Sequence, residues 1–225
     1  MITLSKRLQM IAELVPKCGT AADVGTDHGY LPVWMIQSGT AKRVLASDIG
    51  VGPLQRAQAT VEQYGLTQQI RTVLADGLQY PEAEQAEVIT ICGMGGETTV
   101  SILSAADWVS GKRLILQPQS KLEELEHWLR QHHFGIRRAS LAMDAEKLYL
   151  AFEAQPNTPW RFGAEEGLLC SRDPLLKAYL IREQRKAEKA LFGMQQSREA
   201  NSEQITSMQT RLQWILHSLE EAKAW

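Results

Sequence analysis

Ala22-Asp23-Val24-Gly25-Thr26-Asp27-His28-Gly29-Tyr30-Leu31-Pro32 is the stretch on which the fold turns. An apolar approach ends in an acid, a Gly-x-x-x-Gly turn follows, and Tyr30 opens a new segment. The pattern predicts a strand, a tight loop and a helix. Gly25 lets the backbone turn and come close to a ligand with no Cβ in the way. The free N–H groups that open the helix face whatever sits above the strand end. In open α/β sheets that crevice holds nucleotides. A strand–turn–helix without a ligand has the same pattern, so the flanking sequence must decide.

The loop lacks the Gly-x-Gly-x-x-Gly spacing that a pyrophosphate requires, which argues against a dehydrogenase. It carries Asp27 and His28 instead. An acid suits a ligand with positive charge, or with hydroxyls and an ammonium. S-adenosyl-L-methionine has a sulfonium, an ammonium, a ribose and no phosphate, and is the expected cofactor. A second strand, Arg43–Ile49, ends in Asp48, 23 residues after Gly25. An acid near this offset accepts ribose hydroxyls in βαβ nucleotide folds; the alternative is a cap for a helix over 53–64. A third strand, Gln69–Leu74, leads to Ala75-Asp76-Gly77. Asp76 either accepts from an adenine amine or makes a plain Asp-Gly turn. A fourth strand, Glu87–Cys92, runs into Gly93-Met94-Gly95-Gly96. Three glycines in four residues permit close backbone approach to a ligand or a flat base.

Outward from these motifs, Leu4, Leu8, Ile11 and Leu14 repeat at helical spacing after a Thr3 cap, and Pro16 stops them. Helices are expected over 30–38, 53–64, 97–106 and 121–133. Arg113–Pro118 reads as a fifth strand, and a late strand pair covers 136–142 and 147–152. This is the Rossmann-like, doubly wound α/β plan with an antiparallel edge. Residues 154–162 hold Pro156 and Pro159 and read as a linker. Beyond it the pattern is helical only. Asp173 or Ser171 caps one helix with Leu176, Leu180, Ala187, Leu191 and Met194 on its apolar side. The last helix places Ile205, Met208, Leu212, Ile215 and Leu219 at the spacing of a coiled-coil seam. A short break near 195–202 predicts an antiparallel hairpin. The expected division is a domain over 1–155 and a helical extension over 160–225. Arg172, Lys177, Arg182, Arg185, Lys186 and Lys189 outnumber Asp173, Glu183 and Glu188 around the first of these helices. That excess reads either as a phosphate grip or as a solvated face.

A 44% apolar content supports a sizeable core, and a net charge of −2 does not advertise nucleic-acid binding by itself. Three scattered cysteines offer neither a disulfide framework nor a metal site, so a reducing cytoplasm is expected and no metal. The first residues lack the apolar core of a signal peptide, and no stretch reaches the roughly 20 apolar residues of a membrane span. The heptad seam can close within one chain or between two, with a monomer favoured.

Taken together, the Ala22–Pro32 stretch, Ser47-Asp48, Ala75-Asp76-Gly77, Ile91-Cys92-Gly93-Met94-Gly95-Gly96 and Gln117-Pro118 resemble the bacterial tRNA adenine-22 N1-methyltransferases. These are class I S-adenosyl-L-methionine enzymes with a C-terminal, coiled-coil-like helical extension, and the resemblance covers most of the chain. It implies methyl transfer to N1 of adenine 22 in the D-arm of tRNA, a reaction with no obligatory base. It implies that Asp23, Gly25, Thr26, Asp27, His28, Asp48, Ile49, Asp76, Gly77, Gly93 and Met94 hold the cofactor. Gly95 and Gly96 would then lie on the target-base side, with the six basic residues as tRNA contacts. Asp27, His28 and Tyr30 are the candidates for contact with the reacting groups. The chain departs from the family at Gln119, where Asn commonly follows Gln-Pro, and at Ala139 and Ala142, near which acids are usual. Two other functions fit the same residues: a small-molecule methyltransferase, and a non-catalytic module that scaffolds a coiled-coil partner.

Overall fold

The computed structural model describes residues 1–196 and 201–223. The chain divides into two compact units, Met1–Gly167 and Leu168–Trp225. In the first unit, β1 (Cys18–Val24), β2 (Ala41–Asp48), β3 (Ile70–Leu74), β4 (Val88–Met94) and β5 (Arg113–Pro118) run parallel. β7 (Lys147–Pro156) lies antiparallel to β5, and β6 (Phe134–Asp144) antiparallel to β7. The sheet order is β3-β2-β1-β4-β5-β7-β6. The chain steps outward from β1 to β3, then returns to the far side of β1 at β4. The reversal between β1 and β4 opens a crevice at the carboxyl ends of the strands.

The central strands are apolar on both faces, as a parallel sheet covered by helices on each side requires. Ala21, Ala22, Val44, Leu45, Ala46, Ile89, Leu114, Ile115 and Leu116 are fully buried. On one side α1 (Lys6–Leu14) and α2 (Tyr30–Gln37) contribute Met10, Ile11, Leu14, Val33 and Met35 to a core with Val44, Val88, Ile115, Ala142 and Ala151. α3 (Val51–Gln63) adds Val61 to it. α4 (Gly96–Ser104) and α5 (Leu122–Gln131) pack on each other. The cap of α1 is Ser5 rather than Thr3: the Ser5 hydroxyl accepts the Leu8 N–H. The late strand pair is longer than its apolar pattern indicates, and a bulge near Arg137 shifts its register between Ile136 and Arg138. β7 therefore continues into residues that read as linker. A further helix, α6 (Ala164–Ser171), was not anticipated. Its opening amides are held by carboxylates, Gly163 N–H by Glu166 at 2.8 Å and Ala164 N–H by Glu126 at 2.7 Å.

The second unit contains α7 (Leu176–Gln196) and α8 (Ser202–Lys223), which pack on each other. α7 is about 31 Å long, and the six steps from Gln196 to Ser202 span at most about 22 Å. The helices are therefore antiparallel. Residues 197–200, within the expected break, lie outside the described residues. Asp173, not Ser171, caps the entry: its Oδ1 accepts the Leu175 N–H at 2.8 Å, whereas the Ser171 hydroxyl donates to the Leu168 carbonyl. Leu176, Leu180 and Ala187 are buried on α7, and Ile215, Ser218, Leu219 and Ala222 on α8. Ile205, Met208 and Leu212 are only half-buried, so the seam is drier toward the end of α8. At 100° per residue, Arg182, Arg185, Lys186 and Lys189 fall in a sector about 100° wide that borders buried Tyr179 and faces away from Leu176, Leu180 and Ala187. Among the described residues no helix is long and apolar enough to cross a membrane.

Candidate active site

The loop after β1 is fastened to β2 by its own backbone. Gly25 takes a left-handed conformation (φ 73°), and a Cβ there would collide with the Met94 methyl. Gly25 and Thr26 donate their N–H groups to the Ser47 carbonyl at 2.9 and 3.0 Å. Asp27 donates its N–H to Asp48 Oδ2 at 3.1 Å, and Gly50 donates to Asp48 Oδ1 at 2.9 Å. Each carboxylate oxygen thus carries one backbone donor and keeps a further lone pair. α3 starts after Gly50 with no side-chain cap bond there, so Asp48 serves the loop rather than the helix. Beside it Ile49 is 70% exposed. Leu74, which pairs in register with Asp48, is 55% exposed. The result is an apolar ledge next to a two-oxygen acceptor, a fit for a flat ring carrying a diol.

The remaining loop residues divide their roles. The Asp27 carboxylate turns to Arg56 and lies 3.5 Å from His28 Nε2. His28 stacks on the exposed Tyr30 with ring centroids 5.2 Å apart. Asp76 is exposed at the end of β3, while its carbonyl accepts the Gln79 N–H in the turn. Gly77 is buried against Ile102, and its carbonyl accepts from the Ser47 hydroxyl at 3.1 Å.

Asp23 lies beneath the loop and is 5% exposed. Its Oδ1 accepts the Thr90 hydroxyl at 2.6 Å. Burial pushes its carboxyl above the ordinary carboxylate range, against the pull of the Thr90 and Thr26 hydroxyls, and the nearby Asp48 charge adds to the rise. A raised folded-state pKa means that the folded protein holds the proton more tightly than the unfolded chain. The Asp23 contribution to stability therefore falls as pH rises from the ordinary carboxylate pKa, about 3.9, through the raised value. Asp23→Asn removes this titration. Relative to the natural chain, its melting temperature should rise between pH 4 and pH 7 in parallel thermal scans. A constant difference would show that Asp23 does not carry the shift.

On the far side of the reversal, Gly93 is left-handed (φ 85°) and sits where the β4–β5 register shifts between Cys92 and Met94. Such bulges re-aim backbone beside active sites. The Met94 carbonyl accepts the Gln119 N–H, and the Ser120 carbonyl accepts the Gly96 N–H, both at 2.8 Å. Gly96, expected on the base side, is buried here: a Cβ would strike the Lys121 carbonyl oxygen. Its lack of a side chain serves packing, and Gly93 and Gly95 border the more open edge. Sequence reasoning missed Arg56 and Arg7. Arg7 borders Gly93 and donates to Gln117 Oε1 at 3.4 Å. No local pattern signals it, because that partner is 110 residues away.

Residues 4–152 match a family described as a methyltransferase domain. A tRNA (adenine(22)-N(1))-methyltransferase of Bacillus subtilis (strain 168) is 34% identical over 184 residues, which cover 81% of this chain and 76% of the relative. The chain belongs to the tRNA (adenine(22)-N(1))-methyltransferase family. Solved structures extend the likeness along the whole length. The B. subtilis m1A22 tRNA methyltransferase TrmK superposes with a TM-score of 0.83 at 26% identity, covering 97% of this chain and 100% of that one. M. capricolum TrmK in complex with S-adenosyl-homocysteine gives 0.81 at 28%, covering 98% and 100%. In this member of the family Ala142 belongs to the core, and the Ala139 methyl faces Gly167 of α6. Both positions suit alanine on packing grounds.

Proposed function

We propose that this chain methylates N1 of adenine 22 in the D-arm of tRNA, with S-adenosyl-L-methionine as the donor. The observation that carries this reading is the Asp48 carboxylate beside the Ile49–Leu74 ledge, reached by a loop that is acidic and unsuited to pyrophosphate. Family membership supports the same donor and acceptor. Asp48 accepts the ribose hydroxyls, Ile49 and Leu74 flank the adenine, and Asp76 meets its amine. Gly25 gives the loop its left-handed turn against the Met94 methyl, and Asp23 and Asp27 place acids near the methionyl chain. When bound, the cofactor supplies an electrophilic methyl group on sulfonium. The accepting N1 already has a lone pair, so no residue has to remove a proton before attack. The residues act by holding two reactants in line, an effect worth several orders of magnitude in effective concentration. The His28–Tyr30 stack borders the loop and orients the reactants. The target adenine must leave the folded RNA to reach Gly93 and Gly95. The basic sector of α7 supplies the phosphate contacts, and the enzyme acts in the cytoplasm as a monomer.

The test is transfer of labelled methyl to unmodified tRNA, with the product nucleoside identified and mapped. The expected product is 1-methyladenosine at position 22. Cofactor binding with no label in tRNA would overturn the substrate assignment in favour of a small-molecule acceptor. Absence of both binding and transfer would leave the non-catalytic module.

A further inference from the structure

We propose that Arg7 grips the backbone phosphate of the accepting nucleotide, an inference that rests on the methyl-transfer reading. Arg7 lies in the first turn of α1 and is held in place from three sides. Its backbone N–H donates to Asp144 Oδ2 at 3.3 Å. The Ser5 hydroxyl, this amide and then the Arg7 and Lys6 charges hold the Asp144 carboxyl below its ordinary range. Its guanidinium donates to Gln117 Oε1, and Gln117 is itself 1% exposed. The guanidinium also lies 5.3 Å from the ring centre of Tyr149. These side-chain partners are neutral. Arg56, Arg71 and Arg138 instead each pair with a carboxylate, Asp27, Glu82 and Glu153. Arg7 is therefore a positioned cation whose side-chain hydrogen bond and ring contact are both to neutral groups, with Asp144 the carboxylate that feels its charge, at the edge where β4 and β5 end.

Place along the sheet decides which anion it meets. Asp48, at the ribose, ends β2; Gln117 is on β5, three strands away in the order β2-β1-β4-β5. At about 4.8 Å per strand that is roughly 14 Å. The ribose and the methionyl arm together reach nearly that far, so Arg7 lies at the outer end of the cofactor, beside Gly93 on the acceptor side. Charge decides which part of the acceptor it meets. Methyl transfer places a positive charge on the adenine ring, so a cation against the ring would oppose the reaction. A cation on the phosphate does not, and a guanidinium fork matches phosphate geometry.

The experiment uses full-length Arg7→Met, which keeps an apolar stem on Tyr149, and Arg7→Lys, which keeps the charge. Steady-state methylation of tRNA is measured across a salt series, with cofactor affinity by calorimetry and melting temperature as a folding control. For Arg7→Met the expected result is a rise of at least tenfold in KM for tRNA, with cofactor affinity within twofold. The slope of log(kcat/KM) against log salt should become shallower by roughly 0.7–0.9, the share of one phosphate. Arg7→Lys should restore the slope and part of the KM. Weaker cofactor binding with unchanged KM for tRNA would overturn the proposal and assign Arg7 to the cofactor carboxylate. Natural behaviour in both would overturn it too. Failure of the natural chain to methylate tRNA would instead sink the underlying reading.

Discussion

Ending the chain at Arg172, which keeps α6 whole, should lower methyl transfer to tRNA by at least about 100-fold while cofactor affinity stays within about twofold. The Asp48 acceptor, the Ile49–Leu74 ledge and the Gly25 loop all lie in Met1–Gly167, so cofactor binding does not need α7 and α8. The RNA does. Losing several phosphate contacts weakens binding by orders of magnitude at moderate salt. The matching full-length variant replaces Arg182, Arg185, Lys186 and Lys189 with Gln and leaves Leu176, Leu180 and Ala187 to hold α7. It should make the salt slope of tRNA binding shallower by up to about 3, at roughly 0.7–0.9 per contact. Glu183 accepts from both Arg182 and Lys186, so the full reduction requires the RNA to displace it. Normal methylation by the shortened chain would show that the helical unit is not an RNA grip.

Asp48→Ala is the second large effect. It should weaken S-adenosyl-L-methionine binding by about 100-fold or more. Hydrogen bonds to a charged acceptor are worth about 1.5–3 kcal/mol each, and two hydroxyls share this carboxylate in the proposed complex. The fold should survive, because the Asp27 amide that Asp48 accepts is exposed to water and the Gly50 amide is only partly buried. Asp48→Asn, which keeps one oxygen, should fall between. Calorimetric titration reads all three, and an unchanged affinity for Asp48→Ala would refute the ribose role.

Much of this could be read from residues alone, for a physical reason. Strands buried on both faces are continuous apolar runs, so β5 was legible from end to end as Arg113–Pro118. Asp48 is legible because it closes a strand 23 residues after Gly25, the offset at which βαβ nucleotide folds place a ribose acceptor. Features set by packing at a distance were not legible. The pattern of α1 points to Thr3 as its cap, whereas Ser5, two residues on, takes that place with its hydroxyl on the Leu8 N–H. α6 hid behind a proline-rich stretch because Glu126, 38 residues away, completes its first turn. Gly96 read as a site glycine, although its constraint comes from the Lys121 carbonyl. Arg7 gave no signal, since its meaning depends on Gln117 and Tyr149.

Contact range separates the two halves of this site in time. The Asp27–Asp48 bond spans 21 residues, whereas Arg7 reaches 110 residues to Gln117 and 137 to Asp144. Short-range closures are faster and less costly in chain entropy. During synthesis the donor side can therefore set while most of the chain is still on the ribosome. The acceptor side waits for the β6–β7 pair, which packs on α1 and brings Asp144 and Tyr149 to Arg7.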